Sequence, residues 1–230
     1  MRSGDFASEA RAGFLLILPA TIACIPFGLI LGATAAQKGL TPLEMGIMGA
    51  TVFAGGSQFV AVELWSDPVS WLAIGFAALL VNLRFLLMTA SLAEKLHPFS
   101  RAAQALTVFF MADETWAVSE RRAMERPLTA AFLIGMIPFF YANWVVWTVA
   151  GTVVGTAFEN PAAFGFDFVF TALFIALALG FWKGPRTGLV MVASGAAAAL
   201  TYLAVEGPWY VIAGAFAGCV LAALTPERAT

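Results

Sequence analysis

The chain has 230 residues, 61% of them hydrophobic and only 11% charged, with a mean hydropathy of +0.88. A soluble domain of that composition would have to present a largely apolar surface to water, so the composition excludes one and points to a membrane protein. A formal net charge of −2 comes from too few charges to single out an acidic or basic partner; no basic stripe suggests nucleic acid, and two cysteines with one histidine give neither a disulfide framework nor a metal cluster.

Stretches free of Asp, Glu, Lys and Arg run over 12–37, 45–62, 127–158 and 187–205. Each is close to or above the roughly 20 residues a helix needs to cross the hydrocarbon core. Their apolar residues do not alternate with polar ones, which excludes a transmembrane barrel. Taken in chain order, helices are expected at about 12–36, 45–65, 69–93, 103–118, 129–157, 166–182, 187–205 and 209–225, with Pro, Gly or charge at most breaks. The first resembles a secretion signal in its leading Arg11 and its Ala33-Thr34-Ala35, but its apolar stretch is too long, so it is expected to remain as a helix. The whole, 1–230, reads as one integral membrane domain, an all-α polytopic transmembrane bundle of about seven helices, with six to eight as the range.

Two segments are doubtful spans. The one at 45–65 carries Gly55-Gly56-Ser57-Gln58 in its middle, two residues that weaken a helix beside two that offer hydrogen bonds, and it is expected to be broken or re-entrant. The one at 103–118 holds Asp113 and Glu114 side by side and is expected to lie along the bundle or at the interface. Positive-inside counting over the loops gives eight to three for eight spans, nine to two for seven and ten to one for six. Every version places the 119–127 loop, the 183–186 loop and the C-terminus in the cytoplasm.

Charges inside spans cost roughly 2.5–3.5 kcal/mol on insertion scales and are rarely kept without a partner or a task. Glu63 and Asp167 read as interfacial, the latter as a helix N-cap. Arg84 lies deep in the third segment, and its guanidinium can grip a carboxylate with two parallel hydrogen bonds, either a substrate's or that of Asp113 or Glu114. On a regular helix Asn82 would sit about 200° away from Arg84, so the two could not face one narrow pocket. A helix opened at Gly56-Ser57 would expose backbone donors able to receive a carboxylate at a half-helix N-terminus. Pro26 can free a carbonyl near Phe27-Gly28, and Phe27 and Trp144 are candidates for an apolar specificity pocket. The expected substrate-binding set is therefore Phe27, Gly28, Gly55, Gly56, Ser57, Gln58, Asn82, Arg84, Asp113, Glu114 and Trp144.

Gly28/Gly32, Gly151/Gly155 and Gly214/Gly218 have the spacing that lets helix backbones approach closely in lipid. Ile25-Pro26-Phe27 returns as Ile137-Pro138-Phe139, consistent with duplicated halves. No phosphate loop is present, so an ion or proton gradient is the expected drive.

The chain resembles the AzlC family of branched-chain amino-acid permeases. The resemblance rests on Pro26-Phe27-Gly28, Phe53-Ala-Gly-Gly-Ser-Gln-Phe59, Asn82-Leu-Arg84 with Ser91-Leu92, Met111-Ala-Asp-Glu-Thr-Trp116, and Gly165-Phe-Asp167 with Thr171-Ala-Leu-Phe174, in order up to about residue 182. It implies the large subunit of a bacterial inner-membrane system that exports Leu, Ile, Val and in some members Met, paired with a small hydrophobic AzlD subunit. Family members often carry His after the Arg, where this chain has Phe85. The glycine pairs 151/155 and 214/218 are read as surfaces for that partner. No cofactor, metal or enzymatic activity is expected. Two alternatives are a non-transporting anchor subunit and an intramembrane hydrolase using Asp113 and Asp167. The hydrolase would have only part of a Gly-x-Gly-Asp motif, and no His-Glu-x-x-His.

Overall fold

A computed structural model describes residues 3–156, 175, 182, 184–205 and 209–225. The described residues form helices: α1 (Ser3–Gln37), α2 (Pro42–Thr51), α3 (Gly55–Glu63), α4 (Trp71–Asn82), α5 (Arg84–Leu96), α6 (Arg101–Phe109), α7 (Asp113–Glu125), α8 (Ala130–Thr156), α9 (Pro185–Ala204) and α10 (Trp209–Leu224). Among the described residues four stretches are long and apolar enough to cross a membrane: Phe6–Gln37, Trp71–Leu96, Ala130–Thr156 and Pro185–Ala204, with Ile212–Leu224 shorter. Apart from residues 175 and 182, the expected segment 166–182, with Asp167, lies outside the described residues.

The frame is the pair α1 and α8. Gly13 meets Phe132, Leu29 meets Gly151 and Ala33 meets Gly155, so the two helices run parallel. A Cβ on Gly32 would come within 2.0 Å of the Thr148 carbonyl oxygen, and one on Gly135 within 2.0 Å of that of Ala10. Contact this close between backbones supplies the dispersion that holds helices together where lipid tails are as apolar as leucine. Ile17, Leu31, Phe132 and Met136 are fully buried along this seam, and Asn143 Nδ2 donates to the Thr21 carbonyl across it, at 3.2 Å. The pair 151/155 is thus consumed inside the chain, which corrects its reading as a partner surface. So is 214/218, where the Cβ of either glycine would touch Ser194 on α9. The two Ile-Pro-Phe tripeptides do fall on these packed helices, but Leu29 is level with Gly151, so Pro26 and Pro138 stand about three turns apart.

Two further units enter this frame from opposite ends, and each is a helical hairpin. The first is α2–α3. Thr41 caps α2 in a reciprocal capping box with Glu44. The helix then descends along α8, Gly46 against Val149 and Gly49 against Val145 and Thr148. After the break at Val52–Ala54 the chain reverses, and Lys38 Nζ donates to the Glu63 carbonyl at 3.3 Å. Entry and exit therefore lie on one face, the end of α1, so the segment is re-entrant as expected. The break falls just before Gly55-Gly56 rather than within the tract, because the glycines open the returning helix.

The second hairpin is α6–α7, which corrects the expectation of one helix over 103–118. Ser100 caps α6 through its side chain. That helix shares with the first half of α8 a groove lined by Phe99, Leu106, Phe110, Leu133 and Ile137. The chain turns at Phe110–Ala112, and α7 returns beside α5 with Trp116 at Ser91 and Glu120 at Lys95. Arg122 then reaches Glu9 on α1. This hairpin enters and leaves at the face where α1 begins.

Between them α4 and α5 form one nearly continuous helix. At Leu83 it tightens: the Leu83 N–H bonds the Leu80 carbonyl and the Leu86 N–H bonds that of Leu83, both three residues back. Elsewhere α9 and α10 pack against each other, antiparallel, with Arg186 Nη2 donating to the Ala222 carbonyl at 2.9 Å and the Trp209 ring tilted against that of Phe76 of α4, centroids 5.8 Å apart. Leu15, Ile22, Leu72, Leu79, Leu86, Leu200 and Leu203 are exposed, an apolar outer surface suited to lipid.

Candidate functional site between the hairpin tips

Both tips rest on one residue. The rings of Phe53 and Phe110 lie 5.1 and 5.0 Å from that of Tyr141, whose hydroxyl donates to the Ala50 carbonyl at 2.9 Å. Where the tips meet there is a cavity of about 300 Å³, lined by Thr51–Ala54 from one tip, Val108, Phe109 and Met111 from the other, and Asn82 and Phe85 from the α4–α5 helix. That is the lower end of the range for small-molecule sites, roughly 300–1,000 Å³.

Around this cavity the structure gathers most of the expected polar residues. Arg84 Nη2 lies 2.9 Å from Asp113 Oδ2, and the two side chains remain 41% and 46% exposed. The pair is open to a ligand rather than sealed. A Cβ on Gly56 would sit 3.2 Å from Arg84 Nη2, so the guanidinium lies against the start of α3. Asn82 Nδ2 donates to Ser57 Oγ at 3.3 Å. Asn82 and Arg84 thus both reach α3, contrary to the expectation for a regular helix; the tightening at Leu83 changes the angle between them.

The start of α3 has no side-chain cap, and the Gln58 N–H is the first to find a helical acceptor, the Ala54 carbonyl. The Gly55, Gly56 and Ser57 N–H groups at this end are the unpaired donors that make a helix N-terminus attract anions. Trp144 Nε1 donates to Gln58 Oε1 at 2.8 Å. An indole can only donate, so this bond fixes the amide with Nε2 as its free end. Gln58 Nε2, Asn82 Oδ1 and Arg84 Nε are buried and have no partner. Three unpartnered polar atoms in one neighbourhood mark a site whose hydrogen bonds are completed by something else.

On the α7 side, Thr115 Oγ1 accepts the Ala112 N–H at 2.8 Å, closing the turn that aims Asp113 and Glu114 at the cavity region. Cys24 on α1 donates through Sγ to Glu114 Oε1 at 3.5 Å. The half-helices α3 and α7 therefore present their N-terminal ends to one region from opposite directions. One end is bare and backed by a guanidinium; the other carries two carboxylates.

Not all expected residues come together here. Gly28 packs against Trp147 and Thr148, Phe27 packs against the core, and Trp144 is buried behind Gln58, 7% exposed, rather than lining the cavity. Gly55 serves the Trp144 packing, its Cβ position being 3.0 Å from that ring. Sequence reasoning missed Cys24, Tyr141 and the apolar lining by Phe53, Phe85, Phe109 and Met111. Phe85 had a signal, since it follows Arg84 directly; its ring lies 5.4 Å from the Arg84 Cζ.

The fold and this site define a multi-pass membrane protein with a cavity of mixed polar and apolar lining at the meeting of two helical hairpins. A family model described as "AzlC protein" matches residues 19–158, more than half of the sequence, and the chain belongs to the AzlC family. That match covers α2 to α8 and most of α1, including every cavity residue named above. Over 223 residues the chain is 29% identical to a protein of Archaeoglobus fulgidus named "Uncharacterized membrane protein", covering 96% of this chain and 97% of that one. It is 27% identical over 214 residues to the inner membrane protein YgaZ of Escherichia coli, covering 89% and 86% of the two. It is 25% identical over 179 residues to the branched-chain amino acid transport protein AzlC of Bacillus subtilis, covering 76% and 69%. No solved structure matches the chain.

Proposed function

We propose that the chain is a secondary transporter that exports branched-chain amino acids across the cytoplasmic membrane, as the large subunit of a two-component system with a small hydrophobic membrane protein. One observation carries the reading: Arg84 joins the uncapped start of α3 to Asp113 at the start of α7, and Gln58 Nε2, Asn82 Oδ1 and Arg84 Nε lie buried and unpartnered there, beside a small cavity. A zwitterion fits that polarity. Its carboxylate takes the free N–H groups of Gly55, Gly56 and Ser57 and the Arg84 guanidinium, a half-dipole effect worth about 0.3–1 kcal/mol at exposed sites and up to about 2 when partly buried. Its ammonium group takes Asp113, Glu114 and Asn82 Oδ1. The side chain enters the space between Phe53, Phe85, Val108, Phe109 and Met111, which favours aliphatic and thioether groups over polar ones. The name of the Bacillus subtilis relative, a branched-chain amino acid transport protein, agrees with this substrate class.

Charge placement supports an orientation. With both hairpins re-entrant, the six-span count expected from the sequence puts Arg2, Arg11, Lys95, Arg101, Arg121, Arg122, Arg126, Lys183, Arg186 and Arg228 on one face and Lys38 on the other. The start of α1 and the C-terminus are then cytoplasmic. The α6–α7 hairpin enters from the cytoplasm and α2–α3 from outside.

The test is reconstitution into vesicles with a panel of labelled amino acids, with and without the small subunit. Efflux of Leu, Ile and Val is expected from wild type with its partner, and loss of at least tenfold in Arg84→Ala at equal amounts of folded protein. Arg84→Lys should recover little of it, because an ammonium cannot present the two-pronged guanidinium geometry. Full transport by Arg84→Ala sinks the carboxylate-holding role.

A further inference from the structure

We propose that Glu114 is the coupling residue of this site: its carboxylate holds either the ammonium group of the amino acid or a proton, so that each amino acid released is exchanged for one proton. The inference rests on the zwitterion reading and adds its driving ion and carrier.

The two carboxylates at the start of α7 are not equivalent. Asp113 is paired with Arg84, whereas Glu114 forms no ion pair among the described residues and accepts the Cys24 thiol proton, 3.5 Å away, and its own backbone N–H. The titratable and charged groups around it are Cys24 from α1, Arg84 from α5 and Asp113 beside it; α3 contributes the neutral Ser57 and Gln58 to the same site. A neutral thiol does not compensate a carboxylate, and the helix N-terminus beneath Glu114 is a fixed partial charge. A carboxylate so placed at membrane depth needs a mobile cation. The site can be offered two: the substrate's ammonium group and a proton.

The exchange balances. When the amino acid leaves, the hydrogen bonds from its ammonium group to Glu114 are lost, and an O–H bond forms on the carboxylate with a proton from water on the release side. Return to the other side with that proton bound, followed by its dissociation, resets the site. The Arg84–Asp113 pair is neutral throughout, so the proton-loaded site carries one positive charge more than the amino-acid-loaded site. Net export then moves one positive charge inward per molecule, in the direction a membrane potential negative inside favours. In an empty, unprotonated site Glu114 has neither ammonium group nor proton and that form crosses poorly, which limits leakage of either species. The described residues put no histidine at the site, His97 being exposed at the end of α5, so the carboxylate is the group available for this work.

The test uses labelled leucine with the wild-type protein, reconstituted with its small subunit where transport needs it, in sodium-free medium. Across about pH 8 to about pH 5, leucine affinity should fall about tenfold per pH unit below the titration of Glu114, and leucine binding there should release one proton. Glu114→Gln, a stand-in for the protonated carboxyl, should bind leucine at every pH only as weakly as wild type does at its lowest pH, with no pH dependence and no proton release, and should lose the acceleration of efflux by an imposed proton gradient. Gradient-driven efflux persisting in Glu114→Gln overturns the inference. So does wild-type binding that neither varies with pH nor releases protons, a measurement that decides the matter even if the variant does not fold. Absence of leucine binding by wild type at every pH overturns the zwitterion reading itself, and this inference with it.

Discussion

The two hairpins are built to one plan and held by different forces. Each starts at a hydroxyl N-cap, Thr41 or Ser100, each turns through three residues ending in alanine, and each sends back a helix whose N-terminus lies at the cavity. The α2–α3 tip is fixed by neutral contacts with α8: Trp144 to Gln58, Tyr141 to the Ala50 carbonyl, Gly55 under the indole. The returning helix of α6–α7 is fixed by charge. Arg122 Nη2 lies 2.7 Å from both oxygens of Glu9, Thr129 Oγ1 donates to the same carboxylate, and Glu120 pairs with Lys95 and accepts from Ser91. Neutral packing suits a hairpin that offers bare N–H groups to an anion, since nothing nearby competes for them. Charged anchors suit a hairpin whose own tip is acidic, because they lie two to three turns from Asp113 and leave Arg84 to the site.

The comparison breaks most sharply at Glu9. The Arg122 and Glu9 side chains are only 10% and 19% exposed, and Arg122 Nε already lacks a partner. Removing one member of such a pair leaves a buried, uncompensated charge, which costs about 3–5 kcal/mol. Glu9→Ala should therefore lower the melting point in detergent substantially and free α7, with proteolysis appearing near the 126–129 loop. A double substitution of Glu9 and Arg122 by apolar residues should restore most of the loss. Glu9→Ala with an unchanged melting point would show that charge does not hold this hairpin.

A smaller effect is expected on the neutral side. Trp144→Phe keeps most of the aromatic volume but removes the donor to Gln58 Oε1, leaving a buried amide with both ends unpaired. The cost should be about 1–3 kcal/mol. Its signature is functional as well: the amide is free to turn, so substrate affinity should fall at equal amounts of folded protein. Added salt should not change the size of the defect, whereas it should narrow the gap between wild type and Glu9→Ala if charge is what the latter lost.

How far the sequence revealed this plan depends on whether the signal was local. The break near 45–65 was legible because Gly55-Gly56-Ser57-Gln58 weakens a helix by itself. Asp113-Glu114 likewise disqualified 103–118 as an ordinary span. The second hairpin was not legible, since its turn at Phe110–Ala112 contains neither Gly nor Pro; it is recognised only when Asp113 is seen at Arg84 and Arg122 at Glu9. Asn82 and Arg84 were judged incompatible from the pitch of a regular helix, and the tightening at Leu83 comes from a hydrogen-bond pattern that Leu80-Val81-Asn82-Leu83 does not announce. The glycine pairs advertise close approach without naming the partner, and here the partners are internal. Cys24 carries no signal at all until Glu114 is placed beside it.

The finest test of the comparison separates the two charged anchors of α7. Lys95 and Glu120 are 33% and 20% exposed, more open than Arg122 and Glu9, and Glu120 keeps a hydrogen bond from Ser91 Oγ at 2.8 Å when the lysine is gone. Ser91 also accepts from Trp116 Nε1 at 2.8 Å, so the contact between α5 and α7 does not depend on the ion pair alone. Lys95→Met should then cost only about 0–1 kcal/mol, as partly exposed pairs generally do, and should leave transport intact. The melting point in detergent at low and high salt is the measurement, with wild type and Glu9→Ala alongside. A loss as large as that of Glu9→Ala would mean that α7 is held equally along its length, and that the sealed pair at Glu9 is not its principal anchor.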